Sequence, residues 1–334
     1  MVKATLATLI SVLASLPLDA QTLPELNLEP QITLSGLSSG AYMAGQYHLA
    51  HAEQVTGVAM LAGGPVYCAQ NSLGLALEHC LNKATSNPDL TAISAYLATQ
   101  REAGILAQKS LLKDDKVWIF HGSRDATVSP HLAAKLYQQY QQWTSIDNIR
   151  LVDNLPITHT FPTDNAALSA CDVSAPPFLA HCEYDGAGEL LRFILGAVQP
   201  KTAQANGRLL QINQHQLSAQ ASQSLAEQGY VYVPQSCSDG AMCKLHVSFH
   251  GCKQNADSVG QAYVTSTGLN NYADSNKLVI LYPQTRASNI NPFNPNACWD
   301  WWGYTGADYA TRNGVQIQAI AQLIQALQTG QSQQ

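Results

Sequence analysis

The chain has 334 residues, of which 46% are hydrophobic and 12% are charged. This length and apolar content allow a large buried core and exclude an intrinsically disordered protein. The formal net charge is −6 and the sequence has no basic run, so nucleic acid and anionic membranes are not expected partners. The small charged fraction leaves Gln, Asn, Ser and Thr to form the polar surface, as is common in secreted proteins.

Residues 1–20 have the pattern of an export signal. Lys3 supplies a positive start, Ala4–Leu18 is mostly apolar without a charge, and Ala20 is a small residue before a possible cleavage site. An uncleaved anchor is the alternative, although the stretch is short for a membrane span. We therefore expect residues 21–334 to form one soluble, monomeric domain that is secreted into the medium or the periplasm.

All eight cysteines lie after the export signal, and an even number in an exported chain indicates four disulfides. Eight cysteines allow many pairings, so the sequence alone does not fix them. The spacing favours three short loops and one long loop, namely Cys68–Cys80, Cys171–Cys182, Cys237–Cys243 and Cys252–Cys298. Zinc binding is the alternative. It has little support, because there is no CxxC motif and only His48 and His51 form a close histidine pair, so we expect no metal and no cofactor.

The first half of the mature chain alternates short apolar runs with helical patterns. We predict strands at Gln31–Leu34, Val58–Leu61, Val117–Phe120 and Ile149–Val152, a helix at Ala41–Ala52, and the end of a helix at Arg192–Val198. A stretch at 199–207, rich in Ala, Gln, Thr and Asn, is interpreted as a connection.

The second half repeats this alternation and ends in a helix. We predict strands at Leu209–Ile212, Tyr230–Val233, Leu245–Phe249 and Leu278–Leu281, and a helix at Gly314–Leu327 with apolar residues at helical spacing. Strands that alternate with helices indicate an α/β fold with a central, mostly parallel sheet and helices on both faces.

The strongest functional motif is Gly36-x-Ser38-x-Gly40, between a predicted strand and a predicted helix. A nucleophile at such a turn has a crowded backbone, which requires small residues two positions before and after it. The helix that follows favours the negative charge that develops in the reaction. The alternative is a glycine-rich loop with a structural serine.

A catalytic serine in this fold is followed along the chain by an acid and then a histidine. Asp125 lies in the loop after the predicted strand at Val117–Phe120, and His159 lies in a loop after the next strand. We therefore predict His159 as the base and Asp125 as the acid that orients it. Other candidates are less well placed, namely Asp153 and Asp164 as acids, His121 in the turn, and His131 in a predicted helix.

Acyl transfer also needs two backbone N–H groups that bind the oxyanion. Ser39, directly after the nucleophile, supplies one. The second usually lies after an earlier strand in a His-Gly-x motif, but here that motif, His250-Gly251-Cys252, comes far downstream. The simplest explanation is a circularly permuted α/β-hydrolase fold, with the join near 199–207. It predicts that the helix at Gly314–Leu327 docks beside the strand that enters Ser38.

These motifs together resemble the catalytic domain of extracellular poly(3-hydroxybutyrate) (PHB) depolymerases of the permuted kind, with the serine motif near the N-terminus. The resemblance rests on Gly36-Leu-Ser-Ser-Gly40, His121-Gly-x-x-Asp125, His159-Thr-Phe-Pro-Thr163, His250-Gly-Cys-x-Gln254 and Cys298-Trp-Asp-Trp301. It implies a secreted serine esterase with Ser38, Asp125 and His159 as triad and the amides of Ser39 and Cys252 as oxyanion hole. It also implies that a disulfide to Cys298 holds Cys252 and brings the Trp299–Tyr304 cluster to the cleft.

The expected substrate is a polyester or its oligomers, whose methyl and methylene groups suit an apolar, aromatic cleft. Trp301, Trp302, Tyr304 and Tyr42 are therefore predicted to bind substrate, and Tyr67 is a weaker candidate. Members of the family often carry a separate polymer-binding domain, which we do not expect here. The alternatives are a feruloyl or acetyl esterase of plant polysaccharide on the same scaffold, and a non-catalytic polymer-binding protein.

Overall fold

The computed structural model describes residues 24–81 and 87–330. The predicted export signal lies outside the described residues. The strands are β1 Leu28–Leu37, β2 Val55–Leu61, β3 Lys116–Phe120, β4 Ile149–Val152, β5 Phe161–Thr163, β6 Ser169–Ala170, β7 Leu179–His181, β8 Arg208–Asn213, β9 Gln228–Val233, β10 Cys243–Phe249 and β11 Leu278–Tyr282. The helices are α1 Ser39–Ala50, α2 Leu73–His79, α3 Leu90–Glu102, α4 His131–Tyr140, α5 Gly186–Leu195, α6 Gln214–Leu217, α7 Gln235–Ser238, α8 Ala256–Val259, α9 Ala262–Ser266, α10 Leu269–Asn276 and α11 Val315–Thr329.

A central sheet of eight strands has the order β4-β3-β2-β1-β10-β11-β9-β8. The strands from β4 to β11 in this order pair in parallel, and β9 is antiparallel to both of its neighbours. Parallel sheets are covered on both faces, which explains why these strands are apolar runs rather than alternating sequences. The predicted mostly parallel α/β architecture is confirmed.

Two apolar clusters cover the two faces of the sheet. One packs α1, α4 and α11 against side chains such as Ile32 and Leu34 of β1, and the other packs α5 and α10 against Leu37 and its neighbours. Helix α1 is buried along its whole length, because it lies between the sheet and α11. The helices therefore lie on both faces, as predicted.

The chain order of the sheet bears on the predicted permutation. Strands β1–β4 form one side and β8–β11 the other, and they meet where β1 pairs with β10. The strand that enters Ser38 therefore lies beside the strand that enters His250, although more than half of the chain separates them. Helix α11 packs against β1, and Gln328 donates from Nε2 to the carbonyl of Glu29 at 3.1 Å. This is the docking that the permutation predicts.

A second, smaller sheet, with the order β5-β7-β6, lies outside the central one and was not predicted. Its strands have only two or three residues, which is too short for an apolar periodicity to show. The disulfide Cys171–Cys182 links the segment after β6 to the end of β7. This sheet supports the loop that carries His159, since β5 begins two residues later.

The structure pairs the cysteines as the spacing favours, with disulfides Cys68–Cys80, Cys171–Cys182, Cys237–Cys243 and Cys252–Cys298. The first three close loops that span 12, 11 and 6 positions, and the last spans 46 positions. Within the described parts of the chain, no helix has the length and apolar content needed to cross a membrane.

Candidate active site

Ser38 lies at the sharp turn between β1 and α1. Its backbone has φ 58 and ψ −120, which is unusual for a residue with a side chain. A Cβ on Gly36 would approach the carbonyl oxygen of Gly40 to 2.1 Å, and one on Gly40 would approach the carbonyl oxygen of Phe249 to 2.3 Å. Both glycines are therefore required by backbone contact, as the motif predicts. The turn is fixed by the Ser38 amide, which donates to Leu61 at 2.8 Å.

Asp125 and His159 meet at the same edge of the sheet. His159 Nδ1 lies 2.7 Å from Asp125 Oδ2, and the amides of Thr127 and Val128 donate to Asp125 Oδ1 at 2.8 and 2.9 Å. Burial raises the pKa of the Asp125 carboxyl, but the contacts with His121 and His159 outweigh it and hold that pKa well below its usual range. The acid is therefore ionised and held by several donors.

His159 is held through Nδ1, and its second ring nitrogen, Nε2, has no hydrogen-bond partner among the described residues. Since Nδ1 donates to the carboxylate, Nε2 is the acceptor of the neutral ring. The hydroxyl of Ser174 donates to the His159 carbonyl at 3.1 Å, and His159 and Ser38 line the same cavity. Among the described residues no hydrogen bond joins the two side chains, and such contacts often tighten only when substrate binds.

The other residues considered as catalytic acid or base occupy different positions in the structure. Asp164 forms an ion pair with Lys201 at 2.5 Å, and Asp153 is exposed. His131 is the first residue of α4, and its Nδ1 lies 2.7 Å from the Ser129 hydroxyl. His121 contacts Asp125, and the sequence analysis did not predict that contact.

The two residues predicted to supply the oxyanion amides follow the ends of different strands, and both line one cavity. Ser39 is the first residue of α1, and Cys252 follows β10 in the loop of the His-Gly-Cys motif. In the portion that the structure describes, neither amide has a hydrogen-bond acceptor. Two unpaired N–H groups, one of them at a helix N-terminus, form a site for a developing negative charge.

The loop that carries Cys252 is braced from within. Gln254 accepts from the Gly251 amide at 2.7 Å and donates to the Pro177 carbonyl at 2.7 Å. His250 donates from Nδ1 to the Gly251 carbonyl at 2.7 Å and accepts at Nε2 from the Thr285 amide at 3.2 Å. Burial lowers the pKa of His250 to about 4, so this ring is neutral and positions the loop.

The two residues predicted to form the oxyanion hole are both attached to one dipeptide, Cys298-Trp299. Cys252 is bonded to Cys298 through the disulfide, and the Ser39 hydroxyl accepts from the Trp299 amide at 3.2 Å. Trp299 itself is fully buried. The disulfide was expected from the family resemblance, whereas the role of the Ser39 hydroxyl was not, because its acceptor role depends on a residue 260 positions away.

The aromatic segment that follows is held by Asp300, a buried carboxylate. It accepts from four backbone amides and one hydroxyl at 2.6 to 3.3 Å, those of Trp302, Gly303, Tyr304, Thr305 and the Thr305 side chain. The Asp300 backbone is tied to α1 through Gln46 at 2.9 Å and to α11 through Gln316 at 2.7 Å. The segment is therefore a rigid part of the site rather than a mobile loop.

Ser38 opens into a cavity of about 460 Å³. Its lining is mainly apolar. The side chains come from α1, from α2 and the residue after it, from the loops near Asp125 and His159, and from the segment 293–302, namely Tyr42, Leu73, Leu77, Leu81, Val128, Phe178, Phe293, Pro295, Trp301 and Trp302. Tyr42 stacks on Trp301 with ring centroids 5.3 Å apart, and Trp302 packs edge-on against Trp301 at 5.3 Å.

The structure separates the predicted aromatic residues into two groups. Trp301, Trp302 and Tyr42 line the cavity. Tyr304 lies outside the lining, because its hydroxyl turns away to donate to the Cys298 carbonyl at 2.8 Å. Tyr67 also lies outside it and stacks on Tyr96.

The apolar side of the cavity formed by α2 was missed. Leu73 and Leu77 are four residues apart, which places them on one face of α2, and Leu81 follows just after the end of this helix. Leu73 and Leu77 are about half exposed, at 48% and 53%. A leucine face without a buried partner was the signal in the sequence that could have identified this wall.

The histidine pair considered for zinc is engaged in other contacts. His48 lies between Asp115 Oδ2 at 2.9 Å and the Tyr140 hydroxyl at 3.1 Å, whereas His51 lies 3.4 Å from Glu53. Within residues 24–81 and 87–330, no group of three or more His, Cys, Asp and Glu side chains is placed to hold a metal ion.

The sequence is similar to those of PHB depolymerases. Residues 229–331 match the family model described as esterase PHB depolymerase. The chain is 35% identical to a poly(3-hydroxybutyrate) depolymerase of Delftia acidovorans over 93% of its own length and 62% of the relative's, so it spans about three fifths of that protein. It is 34% identical to a polyhydroxybutyrate depolymerase of Talaromyces funiculosus, with 93% and 94% of the two chains covered.

Two solved structures share the fold over almost their whole length. A PHB depolymerase from Penicillium funiculosum superposes with a TM-score of 0.86 at 33% identity and covers 92% of this chain and 99% of its own. A serine-to-alanine variant of a PHB depolymerase, solved in complex with an R3HB trimer, superposes with a TM-score of 0.85 at 33% identity and equal coverage.

Proposed function

The chain belongs to the PHB depolymerase family of esterases, and from that premise we propose that it hydrolyses poly(3-hydroxybutyrate) and its oligomers as a serine esterase. The observation that carries the proposal is the apolar cavity in which Ser38 and His159 face two unpaired backbone amides. A solved relative, similar over 92% of this chain, holds an R3HB trimer. We assign the roles of individual residues from the geometry described above.

In the first step the Ser38 hydroxyl attacks the carbonyl carbon of an ester bond, and His159 Nε2 takes its proton. Asp125 stabilises the imidazolium that forms, through the bond to Nδ1. The carbonyl oxygen becomes an oxyanion and is bound by the amides of Ser39 and Cys252. When the tetrahedral intermediate collapses, the alcohol end of the next monomer leaves with the proton from His159.

In the second step water attacks the acyl-enzyme carbonyl while His159 Nε2 takes a proton from it. The same two amides bind the second oxyanion. Collapse then returns the proton to Ser38 and releases a chain with a free carboxyl end.

The cavity lining agrees with the chemistry of the proposed substrate. A 3-hydroxybutyrate unit presents one methyl and one methylene group per ester, and the aromatic rings of Tyr42, Trp301 and Trp302 offer apolar surface for them. At the mouth of the cavity Leu73, Leu77 and Phe293 are exposed by 48%, 53% and 56%. We propose that these side chains contact the solid polymer, since a large exposed apolar patch marks an interaction site.

We also propose that the protein acts outside the cytoplasm. Four disulfides in the described residues need an oxidising compartment to form and persist. An exported esterase can reach a polymer that is too large to enter a cell.

A product assay tests the proposed function. The purified protein is incubated with a suspension of poly(3-hydroxybutyrate) and, separately, with methyl ferulate. We expect 3-hydroxybutyrate and its short oligomers to be released, and we expect Ser38→Ala to release none. Release of ferulate without 3-hydroxybutyrate would instead identify a feruloyl esterase, and binding of polymer without any product would identify a polymer-binding protein.

A further inference from the structure

His121 is a buried histidine beside the triad that the mechanism above does not use. It follows β3 directly, and its side chain is fully buried. Its Nε2 lies 2.9 Å from the Val128 carbonyl oxygen and 3.3 Å from Asp125 Oδ2. Both neighbours are acceptors only, so this nitrogen carries a hydrogen, which is directed at the carbonyl with the carboxylate beside it.

The surroundings of Nδ1, the other ring nitrogen, indicate the charge of the His121 ring. Its Nδ1 is buried without a hydrogen-bond partner in the described residues. A proton there would be a buried N–H without an acceptor, which is unfavourable. The imidazole is therefore neutral, with its single N–H at Nε2.

This N–H closes the loop that holds the catalytic acid. Residues 121–128 fold back so that His121 donates to the carbonyl of Val128, while the amides of Thr127 and Val128 donate to Asp125 Oδ1. The Asp125 amide itself donates to Gly122 at 3.1 Å. Because Thr127 and Val128 also line the cavity, the same bond fixes part of the cavity wall.

We propose that His121 is a positioning residue for the triad: its Nε2–H closes the acid loop and shares Asp125 Oδ2 with His159. The proposal rests on the proposed function, since it assigns a role within that reaction. His121 touches neither of the oxyanion residues and does not line the cavity, so it acts through Asp125 alone among the triad residues.

The shared oxygen gives the proposal a pH signature. Asp125 Oδ2 faces two imidazoles, and the other titratable groups near the pair are His131 of α4 and Tyr42 of α1. When the His121 donor is removed, Oδ2 becomes a stronger acceptor for the His159 N–H. His159 then holds its catalytic proton more tightly, so the acid limb of the kcat/KM profile moves to higher pH.

Two amide substitutions distinguish the effect of the hydrogen-bond donor at the Nε2 position from the effect of a polar side chain as such. The amide nitrogen of His121→Gln reaches the position of Nε2, whereas the amide of His121→Asn reaches only that of Nδ1. We expect His121→Asn to lower kcat on a short p-nitrophenyl ester roughly tenfold, with KM unchanged, and to move the acid limb up by a few tenths of a pH unit. We expect His121→Gln to keep the wild-type profile.

The outcomes are distinct. A wild-type protein without esterase activity would refute the proposed function itself. An active wild type together with a His121→Asn variant of unchanged kcat and pH profile would refute the role of His121, as would a Gln variant that is impaired as much as the Asn variant. If thermal unfolding shows that His121→Asn is not folded, His121→Met, of similar volume and without a donor, replaces it in the same comparison.

Discussion

Two adjacent serines at the turn after β1 differ in which of their atoms the site uses. Both serines line the cavity, and the Ser39 hydroxyl accepts from the Trp299 amide, so in the proposed mechanism Ser38 supplies its hydroxyl and Ser39 only its amide. The glycine spacing in the sequence predicts Ser38, rather than Ser39, as the nucleophile. The bond made by Ser39 could not be predicted, because its partner is distant in sequence and close only in the folded chain.

Ser38→Ala and Ser39→Ala should therefore differ strongly. We expect Ser38→Ala to lower kcat on a short ester by about four orders of magnitude or more, with an unchanged melting temperature. Ser39→Ala keeps the oxyanion amide and loses one hydrogen bond to the aromatic segment, so we expect a loss of about tenfold or less. Steady-state kinetics with p-nitrophenyl butyrate measures both, and equal losses in the two variants would refute the assignment.

A buried histidine of β10, which contacts side chains of β1, should make the stability of the fold sensitive to acid. His246 lies 2.9 Å from the Thr33 hydroxyl and 2.8 Å from the Ser35 hydroxyl, and burial lowers its pKa to about 3. The unfolded chain binds a proton near pH 6.5 while the folded chain does not, so stability falls as pH drops from there toward 3.

This histidine should contribute a slope of about 1.4 kcal/mol per pH unit to the free energy of unfolding below pH 6. His246→Gln removes the ionisable group, and urea unfolding between pH 4 and 6 should then show a shallower slope than the wild type. Between pH 7 and 9 the two slopes should agree, because the ring is neutral in both states there. A variant that keeps the wild-type slope at acid pH would contradict the prediction.

At the scale of elements, prediction worked where a strand or helix has a strong pattern. The strands β1, β2, β3 and β10 that lead into the site are apolar runs, and their partners follow from the parallel fold. The small sheet and α2 were missed because the strands are very short and the leucines of α2 face the cavity instead of a core. Of the predicted aromatic residues Trp301 and Trp302 line the cavity, whereas Tyr304 lies outside the lining because its hydroxyl donates to the Cys298 carbonyl, a contact that composition does not reveal.

The disulfide Cys252–Cys298 should affect catalysis as well as stability. The double variant Cys252→Ser, Cys298→Ser frees the loop of one oxyanion amide, so we expect kcat on a short ester to fall about tenfold or more. Chain entropy for a loop of this size predicts a stability loss of roughly 3–4 kcal/mol, less any strain. Replacing Cys237 and Cys243, whose disulfide spans 6 positions outside the cavity lining, is the matched control and should leave kcat unchanged.

The exposed leucines of α2 should affect the rate at which the protein degrades solid polymer. Leu77→Ser removes an exposed apolar side chain at the mouth of the cavity, and we expect it to slow the clearing of a polymer suspension severalfold while hydrolysis of a short soluble ester is kept. Ile146→Ser is the control, since Ile146 is exposed by 55%, as Leu77 is by 53%, but lies outside the cavity lining. Equal clearing by both variants and the wild type would place the polymer contact elsewhere.

At the scale of the whole molecule, the order of strands is the feature that single residues do not determine. Strand β1, which leads to Ser38, and strand β10, which leads to Cys252, come from opposite halves of the chain and pair at the centre of the sheet. The start of β1 and the end of α11 are adjacent, since a Cβ on Gly330 would lie 3.7 Å from Glu25. The connection at 199–207 is mainly exposed.

If the fold is a circular permutation, the order of the two halves of the chain can be exchanged while the site is kept. A short Gly-Ser linker from Gly330 to Glu25, with new termini opened between Ala203 and Gln204, places the oxyanion strand before the nucleophile strand. We expect this variant to fold with the same four disulfides and to hydrolyse a short ester at a rate within about tenfold of the wild type. A matched variant opened inside β10 should not fold, and failure of both would argue against the permutation.

The aromatic cluster of Tyr42, Trp301 and Trp302 also allows occupation of the cleft to be followed by tryptophan fluorescence. Trp302 is half-buried at the cavity wall, and both indoles lie beside the Cys252–Cys298 disulfide, a neighbour that quenches tryptophan emission. A polyester chain that displaces water from this wall moves the Trp302 ring into a less polar surrounding, so its emission shifts to shorter wavelength. The occupied and the empty cleft should therefore differ in the wavelength of their tryptophan emission, and binding can be followed without any label on the polymer.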